Sequence, residues 1–253
     1  MKILFLGNNW LGWQVLKWLM ETGREIIGLV IHPVEKQKYA DEIVKTAGLP
    51  DERIFYGHNL KEKRVRDQIR SLRPDVGLSV MFDYVLRKEF LRIFPKGCFN
   101  LHPSYLPFNR GNYPNVWAIV DETPAGVTFH VVDEGVDTGP IVAQEKVDVE
   151  PIDTGETLYR KLEDAGVRLF EKVWPKIESG SYALIQQDKK VGVFHKKRDV
   201  EKIDRIDLEK SYRARDLINI LRARTFPPYK GAYFEEGGKR IYMELKLYYG
   251  EES

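Results

Sequence analysis

Met1-Lys-Ile-Leu-Phe-Leu-Gly-Asn-Asn-Trp-Leu-Gly12 sets an apolar run, Lys2 to Leu6, against a polar turn bounded by Gly7 and Gly12. A helical stretch follows from Leu11 to Glu21, with apolar residues at Leu11, Val15, Leu16 and Leu19 on one face. Strand, tight turn and amphipathic helix are the opening of a βαβ unit. Working outward, Ile26 to Ile31 reads as a second strand and Val34 to Ala47 as a helix. Arg53 to Tyr56 is a short third strand and Leu60 to Ser71 another helix, followed by strands at Val76 to Met81 and Cys98 to Leu101. Strands that are apolar throughout and separated by helices predict an α/β fold. Its core is a doubly wound, Rossmann-like, mostly parallel sheet covered on both faces.

Beyond residue 101 the text changes. His102 to Pro114 is rich in Pro, Asn, Gly and aromatic residues and suits neither helix nor central strand. Val127 to Val132 and Ile141 to Val149 read as strands joined by the loop 133–139, and a long helix runs from about Thr154 to Glu178, with Asp153 and Glu156 spaced as a capping box. The core domain is expected to span residues 1–180. Residues 181–253 are expected to form a small α+β appendage, with a helix at Ala214 to Ala223 and strands at Ala232 to Phe234 and Arg240 to Tyr248. The stretch 188–224 carries twelve Lys and Arg against seven Asp and Glu, although the whole chain of 253 residues nets only +2.

With 43% hydrophobic and 31% charged residues the composition is that of a globular domain, which excludes disordered and collagen-like classes. No apolar run approaches the ~18 residues of a membrane span, and the N-terminus does not read as a signal peptide. A cytoplasmic location is the expectation. The single cysteine, Cys98, excludes an intramolecular disulfide and a thiolate metal cluster, and its apolar surroundings suit a small buried hydrophobe.

The turn after the first strand could hold an anion on its backbone N–H groups. It reads Gly7-Asn-Asn-Trp-Leu-Gly12, without the G-x-G-x-x-G fingerprint, so a nicotinamide dehydrogenase is disfavoured and Asn8 or Asn9 serves equally well as a helix N-cap. The sharper constellation is Asn100, His102 and Asp137. In a strand, residues 100 and 102 project from the same face, at the point where that strand runs out at the carboxyl edge of the sheet. Asp137, on a glycine-flanked loop, can come to the same edge. An amide, an imidazole and a carboxylate with no Ser or Cys nucleophile suit transfer of an activated acyl group to an amine. Asn100 and His102 would donate to the developing oxyanion, worth on the order of 3 kcal/mol per donor. Asp137 would orient His102 and relay the amine proton through water. The five histidines show no metal-ligand spacing, and this chemistry needs no metal.

Three stretches, FNLHPSYLP (99–107), Arg110-Gly111 and AGVTFHVVDEGVDTGPIVAQ (125–144), resemble the formyltransferases that use 10-formyltetrahydrofolate, over roughly residues 1–180. That family includes enzymes acting on methionyl-tRNA, on glycinamide ribonucleotide and on nucleotide-linked amino sugars. The resemblance implies the formyltransferase fold, places the catalytic Asn, His and Asp on Asn100, His102 and Asp137, and names 10-formyltetrahydrofolate as formyl donor. It also implies an apolar pterin slot between Phe82-Asp83-Tyr84-Val85 and Asp133-Glu134-Gly135-Val136, with backbone groups reading the pterin edge.

The wording Arg110-Gly-Asn-Tyr-Pro-Asn-Val-Trp-Ala-Ile119 is similar to sugar N-formyltransferases, as is Ile220 to Phe234. That similarity implies a nucleotide-linked amino sugar as acceptor, with dTDP as the expected nucleotide, of the kind used in lipopolysaccharide O-antigen biosynthesis. Asn8, Asn9, Ser104, Asn109, Arg110, Gly111, Asn112 and Asn115 offer the polar contacts, with Trp10, Tyr105 or Tyr113 for stacking; Trp117 and Ile119 read as core. A homodimer is a possibility, and no membrane or nucleic-acid partner is expected. Two alternatives stay open: a methionyl-tRNA formyltransferase with a shortened C-terminal domain, whose basic stretch would hold RNA, and a folate- or nucleotide-binding module without turnover.

Overall fold

The computed structural model describes residues 1–188 and 190–250. Strand β1 (Lys2–Gly7) is apolar because both faces are covered: Ile3 and Phe5 join one core, Leu4 and Leu6 the other. Helix α1 (Asn9–Glu21) packs Leu11, Val15, Leu16 and Leu19 into the first core. Strand β2 (Glu25–Ile31), helix α2 (Ala40–Ala47), strand β3 (Ile54–Tyr56), helix α3 (Lys63–Ser71), strand β4 (Val76–Val80), the short helix α4 (Lys88–Leu91) and strand β5 (Cys98–His102) complete the alternation. Ile69 of α3 and Phe90 of α4 lie in the second core. Fully burying each such side chain contributes about 1.5–3 kcal/mol. Cys98 is buried there as well, and burial pushes its thiol pKa well up, so it acts as the small hydrophobe expected.

The chain continues through a two-residue strand β6 (Arg110–Gly111), helix α5 (Pro114–Val120), strands β7 (Ala125–Val131) and β8 (Ile141–Val147) and the long helix α6 (Gly155–Ser179). The seven-stranded sheet has the order β3-β2-β1-β4-β5-β7-β8. The pairs from β3 to β5 are parallel, whereas β7 pairs antiparallel with both β5 and β8. Winding reverses between β1 and β4, which opens a crevice at the carboxyl edge, the place where such sheets hold ligands.

Two local expectations are corrected. The helix expected over Val34 to Ala47 is split into a 3-10 turn, Val34–Lys36, and α2. The β1–α1 turn pulls the chain out of helix: Lys38 N–H donates to Asn8 Oδ1 (2.8 Å), and Asn9 N–H donates to the Lys38 carbonyl (2.8 Å). Asn8 thus occupies the N-cap position of α1 without a side-chain cap. The capping box of α6 lies one residue further on, between Thr154 and Thr157. Asp153 instead accepts from Glu150 N–H (2.7 Å), Thr157 Oγ1 (3.0 Å) and Lys161 Nζ (2.8 Å).

After the left-handed cap Gly180, the chain recrosses the edge of the sheet. Ile185 exchanges both backbone bonds with Ile141, and β9 (Phe194–His195) pairs parallel with β6. A short helix α7 (Glu201–Asp204) precedes α8 (Ala214–Ala223), which packs on α5 and sends Arg222 Nη1 to the carbonyls of Glu150 (2.9 Å) and Asp153 (3.0 Å). Strands β10 (Tyr233–Glu236) and β11 (Lys239–Tyr242) form an antiparallel hairpin, so the expected strand Arg240 to Tyr248 stops at Tyr242. Part of the basic stretch is ion-paired: Arg224 with Asp204, Lys202 with Asp199 (2.8 Å), Arg205 with Glu235 (3.3 Å) and Arg215 with Glu122 (3.6 Å). Among the described residues no helix is long and apolar enough to cross a membrane.

Candidate active site

Asn100 and His102 lie on one side of β5, at its carboxyl end, because residues two apart in a strand share a face. Across the antiparallel pair, Asn100 stands opposite His130 and His102 opposite Thr128. The His130 ring is fixed by its surroundings. Its Nδ1 lies 3.0 Å from its neighbour's carbonyl, on Val131, and therefore carries the proton, which leaves Nε2 to accept from Asn100 Nδ2 at 3.2 Å. Burial, more than any charge, lowers the His130 pKa, in keeping with a neutral ring.

Asp137 arrives from the β7–β8 connection with a left-handed backbone, φ 53°. Its Oδ2 accepts from Gly111 N–H at 2.9 Å and lies 3.5 Å from His102 Nε2, while its Oδ1 is 3.7 Å from His130 Nε2. The structure thus brings Asn100, His102 and Asp137 into one corner. His102 is only 9% exposed, yet its Nε2 has no hydrogen-bond partner. A buried ring nitrogen left free beside a carboxylate is placed to exchange a hydrogen bond or proton with a ligand.

Two glycines make the corner possible. A Cβ on Gly111 (φ 90°) would fall 2.4 Å from the His195 carbonyl, and one on Gly139 would fall 1.8 Å from the Val131 carbonyl. Neither position admits a side chain while the loop sits where it does.

The two stretches expected to hold the donor flank this corner. Phe82 and Tyr84 pack against each other, against His32 and over Gly57, while Val85 projects into solvent. Asp83 N–H points to His32 Nε2 at 3.2 Å. On the other stretch the Asp133 carboxylate is spent on its own loop, accepting from Gly135 N–H (3.0 Å) and Thr138 Oγ1 (2.7 Å). Val136 is exposed, and Glu134 pairs with Lys88 at the start of α4 (3.0 Å). Half-exposed aromatics and two exposed valines suit a flat heterocycle such as a pterin.

The residues expected to hold the acceptor divide. Gly111 meets Asp137, and Arg110 and Asn112 flank it, their backbone N–H groups held by the carbonyls of Val193 (2.9 Å) and His195 (3.0 Å). Tyr113 is exposed, and Tyr105 packs over Gly126. Several others are committed to the scaffold. Asn109, 2% exposed, donates to Thr123 Oγ1 (2.7 Å), and Asn115 donates to the Gly155 carbonyl (2.8 Å). Ser104 bonds the Phe108 carbonyl, Asn8 Nδ2 donates to the Lys36 carbonyl (3.2 Å), and Asn9 reaches the Tyr159 hydroxyl. Trp10 packs on the first core, and Trp117 and Ile119 are buried as expected.

Two members of the site escaped the reading of the sequence. His130 joins through the register of β7 on β5, and its signal is a pair of polar residues, Thr128 and His130, alternating within an apolar strand. Gln187 reaches the backbone of the Asp137 loop from the tail, and no local pattern announces it.

A family model described as formyl transferase matches residues 34–174, and one described as N-formyltransferase dimerization C-terminal domain matches residues 199–249. A methionyl-tRNA formyltransferase from Thermodesulfovibrio yellowstonii is 35% identical over 187 residues, which are 70% of this chain and 60% of that protein. The chain therefore spans less than two-thirds of that relative. Among solved structures, a 4-N formyltransferase from Francisella tularensis is 27% identical with a TM-score of 0.84, covering 98% of each chain. The formyltransferase PseJ from Anoxybacillus kamchatkensis, in complex with UDP-4,6-dideoxy-4-formamido-L-AltNAc and tetrahydrofolate, is 28% identical with a TM-score of 0.57, covering 80% of this chain and 89% of that one. With the Asn100, His102 and Asp137 corner built on the sheet edge and more than half of its length matched, this chain belongs to the formyl transferase family.

Proposed function

We propose that the protein transfers the formyl group of 10-formyltetrahydrofolate to the amine of a nucleotide-linked amino-deoxy sugar. The observation that carries this reading is the free, buried Nε2 of His102, 3.5 Å from the Asp137 carboxylate and beside Asn100 on the same strand. The likeness to a 4-N formyltransferase and to a formyltransferase bound to a UDP-linked formamido sugar and tetrahydrofolate supports both the donor and the acceptor class.

When bound, the folate supplies the activated formyl carbon and a leaving nitrogen. Phe82, Tyr84, Val85, Val136 and the backbone of Asp133 to Gly135 hold its ring system. Asn100 keeps one amide hydrogen on His130 and turns the other, with His102, toward the carbonyl oxygen where charge builds. Asp137 would orient His102 and receive the amine proton directly or through water, for return to the departing nitrogen of the donor. Arg110, Asn112, Tyr113 and Trp10 contact the sugar nucleotide. Asn8, Asn9, Ser104, Asn109 and Asn115 shape the walls around it, and Tyr105 buttresses the loop. The tail, with Ile241, Tyr242, Tyr248 and Tyr249 exposed, forms a homodimer interface. Both reactants are hydrophilic metabolites, which suits a cytoplasmic enzyme.

The curated relative favours a second reading, formylation of methionyl-tRNA. One experiment separates the two. The protein is incubated with 10-formyltetrahydrofolate and, in parallel, dTDP-4-amino-4,6-dideoxyglucose, its 3-amino isomer or methionyl-tRNA, and the products are weighed by mass spectrometry. A formyl group on a sugar is the expected result. A formyl group on the tRNA alone overturns the sugar reading, and turnover of the donor by none of them overturns both.

A further inference from the structure

Asp137 is held mostly from outside its own loop. Its left-handed backbone is unfavourable for a residue with a Cβ, and the loop's internal bonds gather at its start, on the Asp133 carboxylate. Support for its end comes from fifty residues downstream. Gln187 Nε2 donates to the Asp137 carbonyl at 2.9 Å and to the Gly139 carbonyl at 2.7 Å. A primary amide carries two N–H hydrogens on one atom, and here both are used, one on each side of Thr138. Gln187 Oε1 is buried without a hydrogen-bond partner, so the side chain satisfies the loop at a cost to itself. Gln187 is in turn delivered by a fixed segment, since Ile185 exchanges two 2.8 Å backbone bonds with Ile141 of β8.

We infer that Gln187 is a positioning residue: it clamps the two carbonyls around Thr138 and so aims the Asp137 carboxylate at His102 and at the Gly111 amide. The inference rests on the reading of Asp137 as a catalytic group. It has a reporter that does not. Gly111 N–H is bonded to Asp137 Oδ2, whereas the N–H groups of its neighbours Arg110 and Asn112 are bonded to the strap carbonyls of Val193 and His195. Three consecutive amides therefore distinguish a displaced carboxylate from a loosened strap.

The test compares the full chain with Gln187→Met, which keeps length without donors, and with Gln187→Glu. Amide exchange is followed by NMR, and turnover is measured with whichever acceptor the parallel assay formylates. In Gln187→Met, Gly111 is expected to exchange about 10-fold faster or more while Arg110 and Asn112 keep their protection. Turnover falls, toward the ~100-fold that a displacement of about 1 Å can cost, with the donor KM little changed. In Gln187→Glu, turnover relative to the unmodified protein rises as the pH is lowered, because only the protonated acid can donate to a carbonyl. Unchanged exchange at Gly111 overturns the inference, and so does faster exchange at all three amides together, which marks a merely structural strap. Faster exchange at Gly111 alone with full turnover upholds the clamp and removes Asp137 from the catalytic reading instead.

Discussion

Asn100 and Asn109 stand nine residues apart, both expected at the reacting site, yet the fold treats them oppositely. Asn100 is a strand residue whose amide faces the His130 ring and the open corner with His102. Asn109 lies in a turn at φ 52°, buried, with its amide on Thr123. Strand periodicity determines where a side chain points, so the first assignment could be made from spacing. In an irregular loop, direction depends on which backbone and side-chain groups need a partner, and Asn115 shows the same fate as Asn109.

The largest test of this contrast is on the strand side. His102→Ala and Asp137→Ala should each lower turnover by at least ~100-fold with the melting temperature little changed, as steady-state kinetics and thermal unfolding will show. Full activity in either variant would erase the distinction. On the loop side, Asn109→Ala should behave inversely, losing about 1–3 kcal/mol in urea unfolding because Thr123 is left without its partner, with turnover at saturating substrate largely kept. A large kinetic effect at unchanged stability would put Asn109 back among the substrate contacts.

A smaller effect sharpens the comparison through pH. Burial is the main cause of a lowered pKa at His32, His130 and His195. The folded protein therefore binds protons at these rings less readily than the unfolded chain, whose histidines titrate near 6.5. Stability from these groups is fully present above about pH 6.5 and is lost as the pH falls toward the folded values. Melting temperatures measured between pH 8 and pH 5 should decline on the acid side. His130→Gln should flatten that decline, and an unaltered slope would show that His130 is not one of its sources.

Much of the fold was legible because apolar strands covered on both faces, and helices with one apolar stripe, leave periodic signatures in the sequence. One error fell where a distant group competed for the local backbone, the other within a single helix turn. Asn8 and Asn9 broke the helix expected at 34–47, and the expected capping box moved by one residue to Thr154 and Thr157.

The chain by itself determined the order of strands and helices, the shared face of Asn100 and His102, and the family its motifs point to, since each depends on residues close in sequence. Only the tertiary structure decided which asparagines are scaffold, that His130 closes the corner, and that Gln187 reaches the loop of Asp137. Those outcomes follow from strand register and from buried donors seeking acceptors far along the chain, and neither leaves a local trace.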